Sequence, residues 1–405
     1  MFPSSSLLAT LLLALAVSAN PIVVRQSKAS LPFALKFNVS GSTTLPEIDR
    51  ARAAALISKA KNGKRSGISF GVTNTAVTYT ADVGVGSPPT QYSLLIDTGS
   101  SNTWVGAGTS YVQTSTSQDT GNTVSVSYGS GSFSGEEFLD TVTLSDDLVI
   151  DGQSIGVANQ AQGFDGVDGI LGIGPVDLTV GTLSDSGASV PTVTDNLFQQ
   201  GSISSNSIGI SYNPVSRVPT TNGELTFGGT DSSKFTGSIS FVDITGTSPA
   251  SEFWGVDQTI TYGTSTSILR STAGIVDTGT TLVLIATDAF NRYKSAVGAT
   301  LDHATGLLKI SSSNFSRLNS LFFNIGGKSY ELTANAQIWP RSLNSQIGGT
   351  SGNIYLVVAD LGSNTGQGLD FINGYTFLER FYTVFDTGNG RIGFATTPNT
   401  KSTIN

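Results

Sequence analysis

The run Leu94-Leu95-Ile96-Asp97-Thr98-Gly99-Ser100 returns later in the chain as Ala273-Gly274-Ile275-Val276-Asp277-Thr278-Gly279-Thr280, with the two aspartates 180 residues apart. In each copy, apolar strand residues deliver an Asp to a turn, followed by Thr, Gly and a hydroxyl residue. That separation is about one domain length. A weaker echo follows each copy: Asp168-Gly169-Ile170-Leu171-Gly172 in the first half and Phe371-Ile372-Asn373-Gly374 in the second. A chain written this way is expected to fold as two similar domains, each bringing one carboxylate to a cleft between them.

The halves read as strands. Only 12% of the 405 residues are charged and 47 are glycine, whereas ordinary globular domains carry about 25% charged residues. Tyr79 to Val85, Tyr92 to Ile96, Thr123 to Tyr128 and Gly223 to Phe227 alternate apolar with small polar residues between turn signals. Helix signals are few. Thr287 with Asp288 opens one that stops at Gly298, and Asp195 to Gln200 forms another ended by Gly201. The fold class is all-β. The absence of Cys removes thiol proteases, Cys-ligated zinc and disulfide scaffolds. A single histidine, His303, leaves no His cluster for a metal. No metal and no cofactor is expected, and without a basic stretch interleaved with aromatics no nucleic-acid partner is expected either.

The first 65 residues differ from the rest. Leu7 to Val17 is an apolar run followed by Ser18-Ala19, which reads as a signal peptide over 1–19 and a secreted product. The run is shorter than the 18 or so residues of a membrane span. Residues 20–65 carry nine basic against two acidic side chains, a charge of +7, so 66–405 carry −15 of the overall −8. This reversal at Lys64-Arg65 predicts a removable propeptide over 20–65, with Leu45 to Lys61 forming a helix. A basic strip on an acidic body is an intramolecular inhibitor held by Coulomb attraction, and acid loosens it. The remainder divides into an N-terminal β lobe, 66–243, and a C-terminal β lobe, 244–405.

Without metal, Cys or usable His, a hydrolase must activate water with carboxylates. Two Asp side chains at about 3 Å cannot both ionise, so they share a proton: one acts as base on water and the other polarises the scissile carbonyl. Thr98 and Thr278 can bond across the interface. Gly99 and Gly279 permit the tight turn, and Ser100 and Thr280 can donate to the outer carboxylate oxygens. A third triplet, Asp386-Thr387-Gly388, continues as Asn389-Gly390 and reads as a hairpin turn.

On these motifs, residues 66–405 resemble the pepsin-like aspartic endopeptidases. The resemblance implies a bilobal acid-protease fold with an interlobe cleft, protein and peptide substrates, pepstatin sensitivity, a monomeric state and synthesis as a zymogen. Asp97 and Asp277 match the catalytic pair. Tyr128-Gly129-Ser130-Gly131 matches the tip of a flap over the substrate, Trp104 the tryptophan that bonds the flap tyrosine, and Ile170 a substrate-binding wall. Gly172 and Gly374 match the glycines supporting the aspartates. Lys59 and Lys61 are candidates to cover the pair in the precursor. Three departures stand out: no disulfides, Asn373 in place of an apolar residue, and uncharged Ser130 on the flap, which predicts apolar or aromatic residues before the scissile bond.

Other motifs carry less. Gly67-Ile68-Ser69-Phe70-Gly71 lacks the strand-to-helix context of a serine nucleophile. Asp165 and Asp168 lack the ligand pattern of a calcium loop, and His303 sits in a surface turn. Asn38 and Asn314 lie in sequons, the second a candidate glycan acceptor. The twelve Lys and Arg left after residue 65 give little self-repulsion in acid, which suits an acidic optimum. An inactive binding protein would usually lose one aspartate or the flap tyrosine. A glycosidase would not need the duplicated Asp-Thr-Gly.

Overall fold

The computed structural model describes residues 29–37, 43–62, 77–128, 131–185, 187, 189–214, 216 and 221–405, with side chains undescribed at 37, 60–62, 77 and 78. The signal peptide, Asn38, Lys64, Arg65, the stretch 66–76, Gly129, Ser130 and the Lys61 side chain lie outside them.

Two large sheets dominate, of thirteen and seven strands. In the larger, strand Thr90–Asp97 pairs in parallel with Gly169–Gly172, and in the smaller Thr266–Val276 pairs in parallel with Phe371–Asn373. The repeated sequence therefore folds as repeated structure: each Asp ends one strand, and the weaker echo lies beside it. Both helices expected after residue 65 form, and both are short. Thr287–Val297 ends on left-handed Gly298 as expected, while the other begins at Val193, because Thr192 and Asp195 close a capping box ahead of the expected start. The third triplet forms a turn between Phe381–Asp386 and Arg391–Thr396.

The basic segment is part of this architecture. Strand Ser30–Phe37 runs inside the thirteen-stranded sheet, antiparallel to both Thr221–Phe227 and Val77–Val85. Its alternate residues Leu31, Phe33 and Leu35 are buried. Phe33 fills a slot left open by Gly223, between the rings of Tyr79 at 5.4 Å and Tyr212 at 4.9 Å. Helix Leu45–Asn62 follows, with Thr44 and Glu47 satisfying its first turn. Its buried face comprises Leu45, Ile48, Asp49, Arg52, Ala53 and Leu56. That is helical spacing for a core-facing stripe, but two of its members are charged. What lies opposite them decides the chemistry.

Candidate active site

Asp97 and Asp277 are both fully buried. The loops that carry them are bound to each other by a symmetric set of hydrogen bonds. Thr98 N–H donates to Thr278 Oγ1 at 3.0 Å, and Thr278 N–H to Thr98 Oγ1 at 2.9 Å. The Thr278 hydroxyl donates on to the Ile96 carbonyl at 3.0 Å and the Thr98 hydroxyl to the Val276 carbonyl at 3.4 Å. Each backbone and hydroxyl group satisfies one from the other half, so the loops cannot separate without breaking four buried hydrogen bonds.

Around each carboxylate the donors repeat. Gly99 N–H reaches Asp97 Oδ1 at 2.9 Å and Gly279 N–H reaches Asp277 Oδ1 at 3.0 Å. On the outer side, Ser100 Oγ donates to Asp97 Oδ2 at 2.5 Å and Thr280 Oγ1 to Asp277 Oδ2 at 2.6 Å. A Cβ on Gly99 would stand 2.8 Å from Asp277 Oδ1, which is why no larger residue fits there. Gly172 and Gly374 pass so close beneath the loops that a Cβ on either would strike backbone, at Ser101 and Asn102 or at Thr280 and Leu282.

The two inner oxygens meet on one nitrogen. Arg52 Nη2 donates to Asp97 Oδ1 at 2.5 Å and to Asp277 Oδ1 at 3.0 Å, while Arg52 Nε reaches Asp277 Oδ2 at 2.7 Å. The carboxylates are thus no farther apart than a single bridging donor allows. Burial pulls the Asp277 carboxyl upward, but the charge and hydrogen bonds of Arg52, with those of Thr280 and Gly279, outweigh it and hold it below the usual carboxylate range. For Arg52, burial works against the charge, but both aspartates more than compensate and push its pKa up.

The residue bonded to the pair is Arg52, and of the two lysine candidates Lys59 points elsewhere while the Lys61 side chain lies outside the described residues. Lys59 donates to the Leu178 carbonyl at 2.9 Å, and burial lowers its pKa to about 8. One turn before Arg52, Asp49 accepts from the backbone N–H groups of Thr281 at 3.2 Å and Leu282 at 2.8 Å, directly beyond the second triplet. Burial raises Asp49 to about 7 despite those bonds. Sequence reasoning missed both residues. Their signal was present: they sit at core-facing positions of a helix otherwise lined with Leu, Ile and Ala.

The flap elements are adjacent. Strands Gln118–Ser127 and Ser132–Ser145 form a hairpin, with Tyr128 N–H donating to the Gly131 carbonyl at 2.8 Å. Trp104, Tyr128, Phe133, Phe164 and Ile170 share one apolar cluster. Trp104 lies beside Tyr128, the neighbour the resemblance implies for it. Their rings lie offset at 6.5 Å, and Trp104 stacks on Phe133 at 4.2 Å. Burial, then the Asp97 charge, raises the Tyr128 phenol. Asn314 lies on helix Ser312–Phe315, where Nδ2 donates to the Gly298 carbonyl at 2.9 Å. His303 is exposed, Asp168 is occupied by the N–H groups of Ser93 and Thr109, and no metal-ligating cluster occurs among the described residues.

Two carboxylates in mirrored settings at the junction of two β halves define the aspartic peptidase class, and the chain belongs to the eukaryotic aspartyl protease family, whose description matches residues 78–397. These are hydrolases of peptide bonds with peptide substrates. The chain is 64% identical over 338 residues to polyporopepsin of Irpex lacteus, covering 83% of this chain and 99% of that protein. It is 31% identical over 337 residues to pepsin A of Suncus murinus, covering 78% and 80% respectively. Its fold matches the crystal structure of the aspartic proteinase from Irpex lacteus with a TM-score of 0.82 and 56% identity, over 94% of this chain and all of that one. The architecture is the bilobal pepsin-like one.

Proposed function

We propose that the chain is a secreted acid endopeptidase made as a zymogen. Residues 1–19 direct secretion, residues 20–65 are a propeptide removed at Lys64-Arg65, and residues 66–243 and 244–405 form the two lobes of a monomeric enzyme. One observation carries the reading: Asp97 and Asp277 converge on one guanidinium nitrogen inside mirrored sets of donors. With Arg52 withdrawn, two carboxylates that close share one proton. The ionised one takes a proton from water as the water oxygen bonds to the scissile carbonyl carbon, and the other gives its proton to the carbonyl oxygen. Collapse of the tetrahedral species breaks the C–N bond. The amine leaves with the proton held by the first carboxyl, and the diol returns a proton to the second.

Ser130 and the apolar wall of Phe133, Phe164 and Ile170 support a preference for apolar or aromatic residues around the scissile bond. Casein digestion near pH 4, with and without pepstatin, tests the function. Digestion that pepstatin stops supports it, and a rate maximum at pH 8 rules it out. Peptides carrying Phe, Leu or Lys before the scissile bond test the preference, and Lys being cleaved best would sink it.

The covering helix holds two titrating contacts of opposite sense. The Asp277 carboxyl is held low by Arg52, so its contribution is complete above the ordinary Asp value of 3.8 and is lost as pH falls through the lowered one. Asp49 is held high, so its contribution is complete below 3.8 and is lost as pH rises through about 7. Between these limits acid tightens the helix at Asp49, and only below them does the Arg52 contact fail. Self-processing of the full-length protein is therefore expected to be negligible at pH 5 to 6 and to rise steeply below about pH 4. Electrophoresis of timed samples reads this directly, and a rate already maximal at pH 6 would contradict it.

A further inference from the structure

The residue ahead of each supporting glycine differs between the halves. Leu171, before Gly172, is apolar and fully buried, whereas Asn373, before Gly374, is equally buried and polar. A buried amide left without partners destabilises the fold, and both polar ends of Asn373 are satisfied. Asn373 Nδ2 donates to Gln258 Oε1 at 2.9 Å, and Gln258 Nε2 donates back to Asn373 Oδ1 at 3.3 Å. Gln258 is itself 1% exposed. The two amides satisfy each other in a reciprocal, directional pair that no apolar contact can imitate.

Its position gives the pair a task. The loop carrying Asp277 leaves strand Thr266–Val276 and returns as strand Val283–Ile285. Asn373 stands between those two ends, paired in parallel with Val276 and antiparallel with Val283. Its carbonyl also accepts the Asp277 N–H at 3.2 Å. The next residue, Gly374, lies hard against Thr280 and Leu282 of the same loop. A rotation at residue 373 therefore shifts both ends of the loop at once. Gln258, on strand Gly255–Tyr262 two places away in the sheet, restrains that rotation from outside.

We propose that the Gln258–Asn373 amide pair is a positioning device for peptide hydrolysis, holding the neck of the Asp277 loop so that this carboxylate stays level with Asp97. It acts through Asp277 and touches no substrate. The inference rests on Asp97 and Asp277 being the reacting pair. Two groups sharing one proton interact more weakly as they separate, so a displaced Asp277 brings the two apparent pKa values of the pair closer together and narrows the bell of rate against pH. In the first half, packing of Leu171 does this work without a directional bond.

Four variants of the processed enzyme test it: Gln258→Leu, Asn373→Leu, both leucines together, and the exchange Gln258→Asn with Asn373→Gln. Active sites are counted by titration with pepstatin, and kcat and KM are measured across pH. Each leucine variant is expected to lose about tenfold or more in kcat with KM unchanged, and to show a narrowed bell. The double leucine variant, which strands no amide, stays slow although it folds. The exchange variant, which keeps both amides and their combined length, recovers most of the rate. A double leucine variant with wild-type kcat and wild-type pH limbs overturns the proposal, as do single variants that lose only thermal stability. An Asp97→Asn control that stays active would instead remove the catalytic pair itself, so the two failures are distinguishable.

Discussion

Asp97→Asn and Asp277→Asn are each expected to lower kcat by about 10⁴-fold while leaving the fold intact. The asymmetry between activity and stability follows from the bonds around each residue. Asparagine keeps an oxygen for the Gly99 or Gly279 N–H, and the hydroxyl of Ser100 or Thr280 can turn to accept instead of donate. The bonds joining the two loops involve only the backbone and the side chains of Thr98 and Thr278, so they survive. What is lost is the shared proton, because an amide neither takes one from water nor gives one to a carbonyl oxygen. The check is kcat on the processed protein beside its thermal unfolding. More than about 1% of wild-type rate in either variant would contradict the mechanism. Asp386→Asn is the matched control, since Asp386 serves a turn with Asn389 and Arg391, and its kcat should not change.

Arg52→Ala in the full-length protein is expected to unmask activity before any cleavage. Arg52 is the only positive charge bonded to either aspartate among the described residues, and it is 5% exposed. Removing one partner of a buried ion pair costs about 3–5 kcal/mol, equivalent to two to four powers of ten in the population of the open form. The remaining hold on the cleft is Asp49, the buried Leu45, Ile48, Ala53 and Leu56 of the same helix, and the Lys59 bond to Leu178. Arg52→Lys should fall between, because an ammonium cannot reproduce the fork geometry that serves Nε and Nη2 together. A fluorogenic peptide assay on freshly purified full-length protein at mildly acidic pH measures this. Wild-type latency in Arg52→Ala would show that the helix inhibits by bulk alone.

The meeting of Asp97 and Asp277 was legible because duplication leaves a signature that single motifs lack. Asp386 carries the same triplet as Asp97 and Asp277, and only spacing and the residue after the glycine set it apart. Strand alternation placed the loops, and Thr98 with Thr278 bond across the halves as their chemistry suggested. Sequence failed where a contact depended on tertiary facing. Lys59 lies two turns beyond Arg52 on the same helix, and nothing local says which basic residue points at the aspartates. Asp49 and Arg52 look like surface charges until the helix is laid over the cleft. Asn373 was visible as a departure, but Gln258, more than a hundred residues away, was not.

Strand Ser30–Phe37 sits in the interior of its sheet and not at a margin. The proposed cut after Arg65 would sever one covalent link and leave that strand paired on both flanks. Departure of the strand, by contrast, opens a furrow whose two walls present bare amides and carbonyls. The residues just beyond the cut repeat its apolar rhythm, Ile68, Phe70 and Val72 against Leu31, Phe33 and Leu35. If residues 20–65 are removed as proposed, maturation would also require that gap in the sheet to be closed, beyond the cut that begins it.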